Sequence, residues 1–122
     1  ALVSINDTLL VAATEDGLYG LNPLQRRLDK LPMLNDRNIF TVWYDTAKRQ
    51  LWVGTYLNGF FCYQLPTKPG SGWTRIQTGL DGYMVLHIRP DTLRQVMWLA
   101  TDRGLAAFKP VTGKVSLYAD RQ

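Results

Sequence analysis

The stretch "LWVGTYLNGFFCY", residues 51–63, joins two short aromatic-rich apolar runs through a Thr, a polar break and a Gly. The same pattern occurs in "LLVAATEDGLYGL", residues 9–21, and in "MWLATDRGLAAF", residues 97–108. In each copy an apolar residue and then a small residue precede the Thr. The Gly after the break is Gly17, Gly59 or Gly104, at spacings of 42 and 45 residues. The chain therefore contains a repeated unit in three copies.

Each unit is predicted to contain four short strands, here called a to d. Strand b ends at the Thr and strand c begins after the Gly, whereas strands a and d flank this pair. Their composition, rich in Val, Ile, Leu, Trp, Tyr and Phe, favours a pleated, half-buried surface. The predicted strands a are residues 2–5, 39–44 and 84–89, and the predicted strands d are residues 27–31, 74–77 and 114–118.

The segment after strand c of the first unit also allows a helix. Leu24, Leu28 and Leu31 recur at i, i+4 and i+7, which suits one face of a helix. The segment is short, follows Asn22-Pro23, and occupies the place that strand d takes in the other two units. A strand is therefore favoured here over a helix.

A repeat of about 40–45 residues with four strands is typical of a β-propeller blade. The predicted fold class is all-β, with three four-stranded antiparallel sheets that form part of a larger propeller. Blade 1 is expected at residues 1–33, blade 2 at 34–79 and blade 3 at 80–122. Strands b and c are neighbours in one blade, so a tight hairpin joins them, and its Gly supplies the positive φ that such turns need.

Two features of the repeat indicate how the blades pack. The small residue before the Thr, which is Ala13, Gly54 or Ala100, allows a close approach by an adjacent blade or by strand a. Trp52 and Trp98 are expected to fill space between blades and to be largely buried at equivalent positions.

Closed propellers have about four to eight blades, so three blades leave two sheet faces open. We expect the first and last sheets each to carry apolar residues on both faces, Val11 and Leu18 in the first sheet and Trp98 and Phe108 in the last. The chain is therefore expected to be a fragment of a larger propeller, to pair with a second copy, or to aggregate.

Composition bounds the class of protein. The 122 residues are 46% hydrophobic and 20% charged, which suits one domain with a core. No run of about 18 apolar residues exists, so no membrane contact is expected. The net charge of +4 is scattered along the chain, which argues against nucleic acid as a partner. A chain without an initiator Met or a secretory signal is expected to be cut from something longer, or processed.

No catalytic constellation is predicted. The only His, His87, lacks a nearby nucleophile and an orienting carboxylate. The only Cys, Cys62, lies between Phe61 and Tyr63 and is expected to be a buried, inert thiol; alone, it excludes an internal disulfide and a cysteine zinc cluster. Acids in loops, such as Asp36 and Asp81, are explained by turn chemistry more simply than by glycosidase chemistry. We therefore expect no enzyme activity, no cofactor and no metal.

A binding function is favoured over catalysis, because the d–a and b–c loops of a propeller share one face. These loops hold acids, Arg, Asn and Tyr, which can hydrogen-bond sugar hydroxyls and stack on sugar rings. The candidate ligand-binding residues are Asp36, Arg37, Asn38, Tyr56, Asn58, Asp81, Tyr83, Asp102 and Arg103. Trp73 begins a strand d on the opposite side and is interpreted as a packing residue.

The b–c motif resembles the two-component regulator propeller repeat, whose blades carry a pattern like "D-x-x-G-x-L-W-[VI]-G-T-x-x-G-[GL]-L". The matching stretches are "QLWVGTYLNGFF" (residues 50–61), "VMWLATDRGLAAF" (residues 96–108) and, more weakly, "LLVAATEDGLYGL". The a–b turns lack the family's usual Gly, and Val11 stands where the first unit should have Trp. Quinoproteins and other propellers with Gly-rich blades share such motifs, whereas the WD and Gly-His signatures of WD40 proteins are absent.

The resemblance implies a periplasmic or extracellular ligand-sensing segment of a bacterial signalling receptor. In that family such blades form the sensor region of hybrid sensor histidine kinases, and similar arrays precede diguanylate cyclases; oligosaccharides are a known ligand class. The implied partners are further blades of the parent chain or a second copy. The alternatives are a fragment of a propeller-type enzyme, such as a polysaccharide lyase or a quinoprotein dehydrogenase, and a purely structural protein-binding propeller.

Overall fold

The structure is a computed structural model that describes residues 1–34, 37–68 and 72–119. Within these ranges all regular structure is β-strand. The strands are β1 (Leu2–Asn6), β2 (Leu9–Thr14), β3 (Gly17–Asn22), β4 (Arg27–Lys30), β5 (Ile39–Asp45), β6 (Gln50–Thr55), β7 (Phe60–Gln64), β8 (Thr74–Gly79), β9 (Val85–Asp91), β10 (Val96–Thr101), β11 (Gly104–Lys109) and β12 (Lys114–Tyr118). The segment with two interpretations is the strand β4, so the strand prediction is confirmed.

The twelve strands form three four-stranded sheets in which every neighbouring pair is antiparallel. Each sheet follows chain order, β1 to β4, β5 to β8 and β9 to β12, so each is a meander of consecutive hairpins. We call these sheets blade 1, blade 2 and blade 3. The predicted fold class of three four-stranded antiparallel sheets is confirmed. No described helix is long and apolar enough to cross a membrane.

The Thr and Gly of the repeated motif close each b–c hairpin together. In every blade the Thr Oγ1 donates a hydrogen bond to the Gly carbonyl and accepts one from a loop amide. The donated bonds are Thr14 to Gly17 at 2.8 Å, Thr55 to Gly59 at 2.8 Å and Thr101 to Gly104 at 2.7 Å. All three Gly residues have positive φ, where a residue with a Cβ would be strained. The motif is therefore repeated because the turn requires both residues.

Blade 2 packs between the other two blades. On one side Leu51, Val53 and Phe61 pack with Val11 and Leu18 of blade 1, and all five are buried. On the other side Trp52, Phe60 and Cys62 pack with blade 3. Each strand of blade 2 is apolar on both faces because its alternate residues meet different blades. This explains why "LWVGTYLNGFFCY" is the most apolar of the three motifs.

Gly54 confirms the prediction of a close approach at the small residue. A Cβ at this position would lie 2.6 Å from Thr41 Cγ2, within blade 2, and 2.7 Å from the carbonyl oxygen of Val85. Val85 begins β9, the first strand of blade 3. The absence of a side chain at Gly54 therefore lets the inner strand of blade 3 lie against blade 2.

Both tryptophans lie at equivalent positions, as predicted, but Trp98 is less completely buried than Trp52. Trp52 is 2% exposed between blades 2 and 3. Trp98 occupies the equivalent place in β10, but it points away from blade 2 and is half-buried. Its Nε1 donates a 2.9 Å hydrogen bond to Asp91 Oδ2. The difference arises because a neighbouring blade covers Trp52 whereas Trp98 lies on the outer face of blade 3.

Most of the apolar residues named for the first and last sheets lie on the faces that blade 2 covers. Val11, Leu18 and Phe108 are at most 1% exposed, because all three face blade 2. The outer face of blade 1 instead carries Leu2 and Leu28, which are 62% and 60% exposed. The outer face of blade 3 carries Trp98, Leu105 and Tyr118.

Candidate ligand-binding face

The loops that carry the predicted site residues gather at one end of the blades and bond to one another. Tyr56, in the b–c loop of blade 2, donates its amide hydrogen to the carbonyl oxygen of Asn38 at 2.8 Å. The Tyr56 ring meets Phe40 edge-on, with ring centroids 5.6 Å apart. Tyr56 remains 42% exposed, so its ring presents a surface to a ligand. Asp36 lies outside the described residues.

Arg37 does not join Tyr56 and Asn38, although it neighbours Asn38 in the chain. Its amide donates to the carbonyl oxygen of Leu34 at 3.3 Å. Its side chain lines a separate cleft, together with Trp73 and Arg75. The described members of the predicted set are therefore divided between two places.

The loop between blades 2 and 3 is held against the b–c loop of blade 2. The Gly82 amide donates to the carbonyl oxygen of Leu57 at 2.9 Å, and the Gly59 amide donates to the carbonyl oxygen of Tyr83 at 3.1 Å. Asn58 takes part through its backbone amide, which donates to Thr55 Oγ1 at 2.8 Å. These bonds hold Asn58 and Tyr83 next to each other, and we call the joined loops, residues 56–59, 80–83 and 102–103, the rim.

Asp102 and Arg103 extend this rim to blade 3. Asp102 Oδ1 accepts a 3.0 Å hydrogen bond from the Met84 amide, and the Asp102 amide donates to the Met84 carbonyl oxygen at 3.2 Å. The Arg103 guanidinium lies over the Tyr83 ring, with Cζ 4.3 Å from its centroid. Arg103 also donates to the carbonyl oxygen of Gly82 at 3.4 Å. Asp102 and Arg103 therefore hold the loops in place, and Arg103 keeps a charge on the surface.

Of the remaining predicted residues, Asp81 is exposed at the tip of the loop between blades 2 and 3. Asp81 therefore adds an exposed acid to the loop that also carries Tyr83. A cation over an aromatic face can engage a polar ligand through hydrogen bonds and stacking.

The sequence interpretation missed a second concave region, on the face of blade 2 that looks toward blade 1. It is a cleft of about 510 Å³, and its described lining residues are Met33, Leu34, Arg37, Phe61, Tyr63, Trp73 and Arg75. Trp73 is half-buried and packs against the core between blades 1 and 2, as predicted for a packing residue. The pattern Trp-x-Arg at the start of strand d indicates that Trp73 and Arg75 share a face, but it does not indicate which face.

Cys62 and His87, which were considered for catalysis, lie in strands β7 and β9 and not in the loops of this rim. Cys62 is fully buried between blades 2 and 3, and burial raises the pKa of its thiol to about 12. A thiol held in its protonated form is a poor nucleophile. His87 is exposed in β9, where it pairs with Ala100 in the sheet. Among residues 1–34, 37–68 and 72–119, no three His, Cys, Asp or Glu side chains cluster as metal ligands would.

No family model matches the chain, and no curated protein matches it. Solved structures do. The extracellular domain of BT4673 from B. thetaiotaomicron, described as a one-component system in one structure and as a hybrid two-component system in another, matches 98% and 99% of the chain. The TM-scores are 0.74 and 0.72, at 24% and 22% identity.

A β-propeller domain of different origin is almost as similar in backbone. The propeller of Cps50 (Swd1) from Myceliophteria thermophila matches 100% of the chain with a TM-score of 0.71 at 14% identity. The chain spans 16% of the BT4673 structure and 44% of the Cps50 structure. The shared feature is the succession of three four-stranded antiparallel blades. The chain therefore has the fold of a β-propeller segment.

Proposed function

We propose that the chain is a non-enzymatic, ligand-sensing segment of a β-propeller in a bacterial signalling receptor. The observation that carries this proposal is the match over 98% of the chain to the extracellular domain of BT4673, with a TM-score of 0.74. The b–c motifs, which resemble the two-component regulator propeller repeat, point the same way. The segment acts outside the cytoplasm, in the periplasm or at the cell surface, and its output domain, a histidine kinase or a cyclase, belongs to the parent chain.

The binding role is supported by the rim of loops around Tyr56, Tyr83 and Arg103. Backbone hydrogen bonds hold these loops together, so their side chains are preorganised for a ligand. The exposed ring of Tyr56 and the stacked Arg103 and Tyr83 offer the contacts that an oligosaccharide uses. The partners in this proposal are an oligosaccharide at the rim and further blades, from the parent chain or from a second copy, at the open faces.

The test uses the parent receptor in cells with a transcriptional reporter of its output. We expect one class of oligosaccharide to induce the reporter, and Tyr83→Ala together with Arg103→Ala to weaken induction while receptor abundance is unchanged. Arg94→Ala, on an exposed turn of blade 3, is the matched control. A receptor that responds to no saccharide, or a double variant that responds fully, would reject a saccharide sensor with its site at this rim.

A purely structural, protein-binding propeller is the second candidate, because the Cps50 domain shares the backbone at 14% identity and a propeller fold by itself does not determine the ligand. The two functions differ in what binds to the parent protein. A protein-binding propeller would bind one protein partner and no glycan, whereas a sensor would bind a glycan without a protein partner. Glycan arrays and affinity purification with the same parent protein distinguish them. Release of unsaturated sugars or reduction of an added quinone acceptor would instead indicate the enzyme alternatives.

A further inference from the structure

The cleft on blade 2 has a composition that the rim does not share. Its floor is aromatic, formed by Phe61 and Tyr63, whose rings are stacked 6.4 Å apart at 19°. Both rings are at least nine-tenths buried. One wall is the half-buried Trp73. A floor and a wall of flat rings form a surface on which another ring can lie.

The cleft is positively charged. Arg37 and Arg75 line it, both side chains are exposed, and neither forms an ion pair within the described part of the chain. The Arg75 guanidinium lies over Phe61, with Cζ 5.9 Å from the ring centroid. The described lining residues include no carboxylate. Unpaired guanidinium groups bind carboxylate or sulfate oxygens in two-point hydrogen bonds.

A local irregularity of the sheet puts Arg75 in this cleft. The register between β7 and β8 shifts at Tyr63, so that Cys62 pairs with Gln77 and Tyr63 pairs with Arg75. The bulge leaves Ile76 unpaired and 41% exposed. Without it, Ile76 would lie opposite Tyr63, and Arg75 would move to the other face of the blade. Bulges often re-aim a side chain toward a functional site.

Tyr63 supplies a polar group at the floor. Its hydroxyl forms no hydrogen bond with the described residues, and no buried side-chain oxygen or nitrogen among them lacks a partner. The hydroxyl is therefore open to the cleft. Burial raises the pKa of this hydroxyl, whereas the nearby positive charge of Arg75 acts in the opposite direction. The phenol stays protonated at neutral pH and can donate a hydrogen bond.

The basic character continues beyond Trp73. A second cleft of about 300 Å³ has Trp73 in its lining, together with the exposed Arg49 and Lys68. Its described lining residues also include no carboxylate. Trp73 therefore stands between two basic hollows along the junction of blades 1 and 2. Such an arrangement suits a chain with a negative charge on successive units more than a single small ion.

We propose that this junction is a binding site for an acidic oligosaccharide, with one sugar ring on Trp73 and its carboxylate or sulfate group on Arg75 and Arg37. The site is separate from the rim and does not rest on the proposed signalling function. The flat faces of a sugar ring pack on Trp73, and the Tyr63 hydroxyl donates to a ring or hydroxyl oxygen. Arg49 and Lys68 bind the negatively charged group of the next sugar unit.

The test measures binding to the purified propeller region of the parent protein by calorimetry, with trigalacturonate, maltotriose and inorganic sulfate as probes. We expect trigalacturonate to bind and maltotriose to bind at least about tenfold more weakly. The Arg75→Gln variant should bind trigalacturonate with about tenfold lower affinity. Arg89→Gln is the matched control, because it removes the same charge from an exposed position in a strand of blade 3. It should change affinity by less than about twofold.

Trp73→Ala distinguishes a sugar site from a site for any anion. This variant should weaken trigalacturonate but leave the weak binding of sulfate unchanged, and Trp73→Phe should retain most of the affinity. Equal affinity for sulfate and trigalacturonate would mean an anion site only and would overturn the saccharide assignment. The proposal is also overturned if trigalacturonate, a sulfated disaccharide and a hyaluronan tetrasaccharide all fail to bind. Binding of an oligonucleotide more tightly than of these saccharides would assign the site to nucleic acid instead.

Discussion

The ring of Trp52 in blade 2 lies 5.9 Å from the ring of Phe108 in blade 3, at an interplanar angle of 63°. Phe60 completes this aromatic cluster, 4.8 Å from Phe108 and 5.9 Å from Trp52. Edge-to-face and offset ring pairs at these distances stabilise a core beyond the area they bury. The cluster is the main apolar contact by which blades 2 and 3 become one unit.

Trp52→Ala should therefore be severely destabilising. Truncation of a fully buried Trp leaves a cavity that the two blades cannot close, and the expected loss in the free energy of unfolding is about 3–5 kcal/mol. Trp98→Ala is the matched control, because the same residue type occupies the equivalent strand position but is half-buried. Its loss should be clearly smaller. Urea denaturation followed by circular dichroism measures both, and equal losses would show that the blade 2–3 contact is not the source of the stability.

Gly54→Ala tests the close approach of strand β9. The new Cβ would meet Thr41 Cγ2 at 2.6 Å and the Val85 carbonyl oxygen at 2.7 Å, so blade 3 must move away. Overpacking of this kind costs about 1–3 kcal/mol. Gly72→Ala, where no atom lies within 4 Å of the new Cβ, should be nearly neutral. A neutral Gly54→Ala variant would contradict the packing described for the inner strands.

The hydroxyl group of the Thr in the b–c hairpin is expected to stabilise the fold, and Thr55 allows this to be tested. Thr55 is fully buried, and its Oγ1 bonds both the Gly59 carbonyl oxygen and the Asn58 amide. Thr55→Val keeps the shape but leaves both backbone groups without this partner, which should cost about 1–3 kcal/mol. Thr55→Ser retains the hydroxyl and should cost less. Thermal unfolding of the two variants decides the matter, and a Val variant as stable as the Ser variant would contradict the role of the hydroxyl.

The sequence predicted the repeated elements well because their causes are local. The Thr–Gly pair, the positive φ of Gly59 and the small side chain at Gly54 each follow from a turn or a contact that the motif itself encodes. The difference in burial between Trp52 and Trp98 was missed because burial depends on the neighbouring blade, which no local pattern reports. The separation of Arg37 from the other predicted site residues was missed as well. Arg37 lies in a loop, where side chains follow no regular alternation that would predict their direction. The place of Arg75 depends on a bulge at Ile76, and a bulge reverses the face that alternation alone would predict.

Asp91 gives a prediction about pH. Its pKa falls from the ordinary 3.8 to about 2, chiefly because Trp98 donates a hydrogen bond to the carboxylate, and also because the Arg94 amide does. A lowered folded-state pKa means that the stabilisation is present above about pH 3.8 and is lost as the pH falls toward 2. The indole Nε1–H resonance of Trp98 in NMR spectra should therefore titrate with a midpoint near 2. Asp91→Asn should abolish this titration, and a midpoint near 4 would show that the hydrogen bond does not form.

The outer faces of blades 1 and 3 lead to a prediction about association. Leu2 and Leu28 are 62% and 60% exposed on one face, and Tyr118 is 58% exposed on the other, beside the half-buried Trp98. Burial of a large apolar side chain is worth about 1.5–3 kcal/mol, so several such side chains in water offset much of the stability of a domain of this size.

The isolated chain should therefore associate, either with a second copy or with further blades supplied in trans. Light scattering at micromolar concentration should give a mass above the 13.9 kDa of one chain. Leu2→Ser combined with Leu28→Ser should shift the equilibrium toward the monomer, because it makes one outer face polar without touching the cores between blades. The matched control is Leu93→Ser, in a turn where the side chain is 85% exposed, which should leave the mass unchanged. A cooperative, well-folded monomer of the unaltered chain would show that the three blades are stable with both outer faces in water.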